Sequence, residues 1–275
     1  MFGNSNDGRG RRDLDREFEQ GGLGQESNYN NQNYSTGQQG QMAYGSQTGD
    51  LEARSAVYVA KVMGWMCVGL LTTVVAAMAT LTSQTMLNFI FGGSGFFVIV
   101  IAQFVMVLAL SAGIQRLSPA AATVMFMIYS GLMGLTMSAI VLIYDLPSLL
   151  LAFSVTTFMF LSMAAYGFIT KKDLTTLGRL AFFGLIGIII ASIVNIFLGN
   201  PMMDLAITVI GVVVFIGLIA YDTQWIKGNF QHAMAEGYDE YSDEVRKLAI
   251  IGALKLYLDF INLFIMLLRL LGRRR

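Results

Sequence analysis

The feature that constrains this chain most is a succession of apolar runs, each about as long as a bilayer is thick. They occupy residues 57 to 81, 89 to 113, 119 to 143, 148 to 169, 179 to 198, 203 to 226 and 247 to 271. A hydrocarbon core of about 30 Å takes about 20 helical residues to cross. In lipid, every backbone N–H and C=O of such a run must be satisfied without water, which an α-helix does within the segment. The sequence therefore predicts an all-α membrane protein with seven transmembrane helices. Composition agrees: 55% of the 275 residues are hydrophobic and 13% are charged, against roughly 45–50% and about 25% in soluble domains.

Helix breakers fall between the runs. Gly92-Gly93 lies near the start of the second, Pro119 and Pro147 take first-turn positions of the third and fourth, and Asn200-Pro201 precedes the sixth. A first-turn proline is favoured because its missing N–H has no partner there anyway. Gly131 and Gly134, like Gly184 and Gly187, are spaced by three rather than the four of GxxxG, and imply close helix packing in general terms. The single cysteine, Cys67, excludes an internal disulfide and a CxxC metal site, and within an apolar run it reads as a small buried hydrophobe.

Residues 1 to 54 are of another kind, rich in Gly, Asn, Gln and Ser, with isolated Tyr29, Tyr34 and Tyr44. Such a segment buries too little apolar area to offset its ordering entropy, and a disordered tail is expected ahead of a membrane domain at 55 to 275. No apolar h-region follows the arginines, so the tail does not read as a signal peptide. Cytoplasmic loops carry the excess of Lys and Arg. Arg54 and Lys61, Arg116, the group Lys171, Lys172 and Arg179, and the group Lys227, Arg246 and Lys247 flank alternate connections, while 82 to 88, 144 to 147 and 199 to 202 contain neither residue. The N-terminus is thus expected to be cytoplasmic. Seven crossings then place Arg269, Arg273, Arg274 and Arg275 outside. Either the last segment is re-entrant or this end departs from the rule.

Several function classes drop out. Net charge is zero and no basic stripe is interleaved with aromatics, so nucleic acid is not an expected partner. GxSxG, HExxH and phosphate-loop motifs are absent, and neither intramembrane aspartate follows a glycine as in intramembrane aspartyl proteases. An enzyme is not expected, nor a resident cofactor. His232, the only histidine, lacks a second His or Cys with which to bind metal.

Polar groups inside the spans carry the functional signal. Asp222 sits near the cytoplasmic end of the sixth run, and Lys255 and Asp259 lie well inside the seventh. An aspartate at the centre of an isolated span costs roughly +2.5–3.5 kcal/mol, so the seventh helix should be surrounded by protein, and intramembrane acids are functional candidates by default. Structural alternatives stay open: Lys255 and Asp259 are i, i+4 and could pair with each other, and Asp222 could lie at headgroup level with Lys227. Gln103 and Asn195 either line a polar path or join helices by hydrogen bonding. The segment from Asn229 to Glu244, with Glu236, Asp239, Glu240, Asp243 and Glu244, either concentrates cations or is a solvated surface.

The run Leu256-Tyr257-Leu258-Asp259-Phe260-Ile261-Asn262-Leu263-Phe264, followed by Leu267-Leu268-Arg269, closely resembles the C-terminal signature of the Bax inhibitor-1 (transmembrane Bax inhibitor motif) family. Ala220-Tyr221-Asp222-Thr223-Gln224 and Ser130-Gly131-Leu132-Met133-Gly134 resemble its sixth-span and third-span motifs. The resemblance covers about residues 55 to 275. It implies a bacterial-type member, six helices around a central C-terminal helix, and a pH-sensitive calcium leak in a plasma membrane. It further implies that Asp222 and Asp259 form the pH sensor and ion gate, touching calcium only in passing, with Arg116 as the candidate latch; Lys255 and Gln103, as polar groups within spans, are candidate modulators. The alternative it carries is a non-conducting stress-response protein that binds other membrane proteins, such as a membrane protease.

The chemistry of a carboxyl pair stands apart from any family. Two carboxyls close together in a poorly hydrated site do not both ionise easily; they share a proton and titrate as a pair near cellular pH. Ionised, they suit a hard cation such as Ca²⁺, which takes six to eight oxygens, and a shared proton or a cationic side chain neutralises them. Proton binding and calcium passage are then antagonistic.

Overall fold

The computed structural model describes residues 49–273. The expected tail therefore lies, for residues 1–48, outside the described residues, as do Arg274 and Arg275. The helices are α1 (Gly49–Thr82), α2 (Gln84–Phe91), α3 (Gly95–Gly113), α4 (Pro119–Ile143), α5 (Leu146–Ile169), α6 (Thr175–Leu198), α7 (Pro201–Ala235) and α8 (Asp243–Leu271), with a 3-10 turn over Ile114–Arg116. Seven of them, all but α2, are long and apolar enough to cross a membrane.

Their starts follow from side chains that accept from free N–H groups of the first turn. Asn200 accepts from Met202 and Met203 ahead of α7, Asp145 from Ser148 in α5, Ser118 from Ala121 in α4 and Ser242 from Val245 in α8. Pro119, Pro147 and Pro201 all take first-turn positions. Gly199, at φ +60°, ends α6 in the left-handed conformation that glycine adopts without a steric penalty.

Three boundaries differ most from the sequence reading. α1 already begins at Gly49, so residues 49–54 of the expected tail are helical, continuing the first span. The second run is divided: α2 ends at Phe91, the chain bends over Gly92–Ser94, and α3 starts at Gly95. A Cβ on Gly95 would meet the Phe89 carbonyl oxygen at 2.1 Å, so the two helices approach too closely for any other residue. The remaining 19 residues of α3 rise about 28 Å, still close to the thickness of the hydrocarbon core. At the other end, α7 continues from the apolar run to Ala235, a total of 35 residues, or about 52 Å at the helical rise. No proline interrupts it, and the first left-handed residue is Gly237 at φ +84°. Much of the expected acidic loop is thereby helical, and only 236–242 connects α7 to α8.

Apolar residues are exposed on a scale no water-soluble protein tolerates. Phe97, Phe104, Phe158, Phe183, Ile196 and Phe197 are among those with most of their surface free, as expected where lipid covers the outside. Cys67 belongs to this outer face and is exposed. The reading of it as buried is corrected for a physical reason: in a membrane span, apolar character does not separate a protein-facing position from a lipid-facing one.

α8 is the most buried span, with 61% of its apolar stretch enclosed against 44% for α7 and 11% for α6. It packs mainly along α7 and α5 and also touches α4, while α6 lies on α7 and α3 on α4. Its contact with α1 is specific. The Tyr257 hydroxyl and Thr73 Oγ1 are hydrogen-bonded at 2.6 Å, and the Tyr257 ring stands edge-on to Phe126 and Tyr129 of α4. Phe260 makes edge contacts with Phe153 and Phe160 of α5. At the start of α8, the Tyr58 hydroxyl donates to the Val245 carbonyl at 3.0 Å, and its ring stacks on Phe230 of α7.

α8 is one uninterrupted helix and does not turn back on itself. At its far end Arg269 Nη1 lies 3.2 Å from Asp204 Oδ1 in the first turn of α7. Beyond it, the Arg273 N–H donates to Ser148 Oγ at 2.9 Å beside the α4–α5 turn. The basic end therefore sits beside the two turns that lack Lys and Arg. Reporters fused after the last residue and inserted in the 170–174 connection should read opposite sides of the membrane; the same side for both would contradict this topology.

Candidate functional site

Each residue of Ala220-Tyr221-Asp222-Thr223-Gln224 has a distinct task in α7. Ala220 is the contact point of α5: a Cβ on Gly167 would lie 2.1 Å from the Ala220 carbonyl oxygen, so the two backbones touch there. The Tyr221 ring lies over Gly178 of α6, where a Cβ would meet it at 2.4 Å. Thr223 Oγ1 donates back to the Ile219 carbonyl. Gln224 grips the α5–α6 connection with both ends of its amide, accepting from Leu174 N–H and donating to the Lys172 carbonyl, each at 2.8 Å. With its neighbours committed to α5 and α6, Asp222 is left to face α8.

α8 answers with Lys255 and Asp259, one turn apart on one face. Lys255 Nζ donates to Asp222 Oδ1 at 2.8 Å and stands 4.6 Å from the Trp225 ring centroid and 5.9 Å from that of Tyr221. The Asp222 and Asp259 side chains interact with each other across the α7–α8 interface. They are 6% and 4% exposed, and the second oxygen of Asp259, Oδ2, is buried without a partner. Two carboxyls this close do not both ionise easily, and one proton shared between them beside the Lys255 ammonium would make the group neutral.

Both open alternatives of the sequence are thereby decided. Lys255 makes its short ion pair with Asp222 across the helix interface and not with Asp259 one turn along its own helix. Asp222 is interior, while Lys227 Nζ donates to the Phe168 carbonyl at 3.1 Å and lies over the Phe168 ring.

The pair borders a cleft of about 570 Å³ between α6, α7 and α8, lined also by Arg179, Phe215 and Asn262. A second cleft, of about 750 Å³, runs from the α7–α8 connection past His232, Glu236 and Glu244 to Trp225. Lys255 and Leu258 line both.

Other sequence candidates fall elsewhere. Arg116 is exposed on the 3-10 turn after α3 and is not among the residues bordering the carboxyl pair. Gln103 is buried and donates to Thr136 Oγ1 at 3.1 Å, joining α3 to α4. Asn195 Oδ1 accepts from the Asn200 N–H at the end of α6. His232 lies 3.2 Å from Glu236 on the exposed end of α7. Among the described residues, no group of three or more His, Cys, Asp or Glu is placed to hold a metal ion. Sequence reading missed Trp225, whose apolar side chain gives no signal until its ring is seen beneath the ammonium. It also missed the grip of Gln224, although a polar amide at the end of a span was a clue.

Residues 55–275 match the family model described as "Inhibitor of apoptosis-promoting Bax1". The chain belongs to the Bax inhibitor-1 family. Among its relatives are the inner membrane protein YbhL of Escherichia coli strain K12, 46% identical over 79% of this chain and 92% of that protein. An uncharacterized protein of Borreliella burgdorferi is 42% identical over 79% of this chain and 92% of its own length. Another, of Rickettsia prowazekii, is 40% identical over 79% and 90%. In this Bax inhibitor-1 family member, two of the three motifs that carried the resemblance border one cleft, one with Asp222 and the other with Asp259.

Proposed function

We propose that this Bax inhibitor-1 family member is a pH-sensitive calcium leak of a bacterial inner membrane, with its N-terminus cytoplasmic and with Asp222 and Asp259 as its gate. The observation that carries the reading is a pair of buried carboxyls, brought together from adjacent spans with Lys255, at the edge of a cleft inside a membrane protein. With the proton shared, the group of Asp222, Asp259 and Lys255 is neutral and offers a cation nothing. Loss of that proton leaves two carboxylates against one ammonium, and a net negative site in a medium of low dielectric attracts a cation strongly. Two carboxylates supply part of the six to eight oxygens calcium takes, and water in the cleft supplies the rest.

Purified protein in liposomes tests this directly. Calcium flux should rise with pH, by up to about tenfold per unit below the transition for the loss of one proton. Absence of flux at every pH would sink the leak and leave the other reading, a non-conducting stress-response protein that modulates other membrane proteins such as a protease.

A further inference from the structure

We propose that Lys255 is a tethered cation that occupies the calcium position of the carboxyl pair and separates the two clefts, so that its ammonium must leave Asp222 before a divalent ion can bind. The proposal rests on the calcium reading of the site and adds the residue that sets its selectivity and closure.

Three observations lead to it. The first is position: Lys255 and Leu258 are the two residues common to both clefts, so the Lys255 side chain stands where a path from the α7–α8 connection reaches the aspartates. The second is bonding. The ammonium sits 2.8 Å from Asp222 Oδ1, the distance and charge of an ion held by a carboxylate, while the neighbouring Asp259 Oδ2 is buried and has no partner. An ion replacing the ammonium between the two carboxyls would find an oxygen already desolvated and unused.

The third is an alternative seat. The Lys255 side chain is 34% exposed although its partner is 8% exposed, and its Nζ already lies over the Trp225 ring, which lines the second cleft with Glu236 and Glu244. A lysine has a flexible four-carbon stem and three rotatable donors, and an aromatic face holds an ammonium without a fixed acceptor. Rotation of the stem carries the charge from Asp222 into the second cleft and keeps the aromatic contact. The titratable and charged groups that share a cleft with Lys255 are Asp222, Asp259 and Arg179 with Tyr221 in the first and His232, Glu236, Glu244 and Lys247 with Tyr238 in the second.

Charge counting gives the selectivity. With Lys255 in place, two ionised carboxylates carry a net charge of −1, so a bound Ca²⁺ would leave one positive charge uncompensated. With the ammonium withdrawn they carry two, and a bound Ca²⁺ is neutralised. Arg116 is not needed for this device, because the cation comes from the central helix itself.

The test measures calcium binding, not flux. In detergent at alkaline pH, Lys255→Met should acquire a calcium-dependent rise in Tm at a concentration about tenfold lower than the wild-type protein requires, and Lys255→Arg should behave as wild type. Equal calcium dependence in Lys255→Met and wild type overturns the proposal. Should Lys255→Met fail to fold, Trp65→Phe leaves Trp225 as the sole tryptophan. Its emission should then shift as calcium draws the ammonium away, and unchanged emission up to millimolar calcium overturns the proposal equally. Failure of the leak reading shows itself separately, as wild-type protein that binds calcium but does not conduct it.

Discussion

Calcium flux through Asp259→Asn is expected to stay at its low-pH level across the range of roughly pH 5 to 8 in which cellular switches work. The reason lies in the proposed gate, in which the two carboxyls share one proton while Asp222 accepts from Lys255 at 2.8 Å. An asparagine amide at 259 donates in the same place but has no proton to lose, so the site remains neutral at every pH. Asp222→Asn should also remove the pH dependence, with a further effect on stability because it breaks the ion pair. Removing one partner of a fully buried pair costs about 3–5 kcal/mol. Here the loss should be smaller, because the Lys255 side chain is 34% exposed and the pair is therefore not fully buried. Asp259→Asn is therefore the cleaner variant. Flux that still climbs with pH in both variants, at a wild-type slope, would rule out the pair as the sensor.

The second large effect is expected far from any charge. Gly167→Leu should prevent accumulation of monodisperse protein, and Gly167→Ala should lower the Tm in detergent by several degrees. A side chain at 167 meets backbone, not a movable rotamer: its Cβ would stand 2.1 Å from the Ala220 oxygen and 2.9 Å from the Ala220 Cα. α5 and α7 must then separate. Overpacking by a methylene costs about 1–3 kcal/mol even where side chains can yield, and Ala220 is two residues from Asp222, so the gate is displaced as well. Gly131→Ala is the matched control, since nothing lies within 4 Å of a Cβ there. A Gly167→Ala protein as stable as Gly131→Ala would show that the close α5–α7 contact is not maintained in the membrane.

Much of the fold was legible in advance because insertion into a bilayer is nearly a one-dimensional problem. A run long enough to cross must be helical and its ends must be satisfied locally. Seven spans followed from the apolar runs, and Pro119, Pro147 and Pro201 fall in the first turns of α4, α5 and α7 as the sequence implied. The candidate site was legible in part, since Asp222, Lys255 and Asp259 stand out as charges within apolar runs. Arg116 and Gln103 did not join them: one is exposed on a turn, and the other is used in binding α3 to α4.

What the sequence determined by itself was which segments leave water and which charges go with them. The tertiary structure decided how each helix is rotated about its axis, and with it every partner. Cys67 faces outward because lipid and protein interior are equally apolar, so hydropathy cannot orient a span. Lys255 had two carboxylates within reach, one fixed by the spacing of four residues on its own helix and one visible only once α7 lay beside α8. It took the second because Gly167, Gly178 and Gln224 hold α7 against α5, α6 and their connection, which turns Asp222 toward α8.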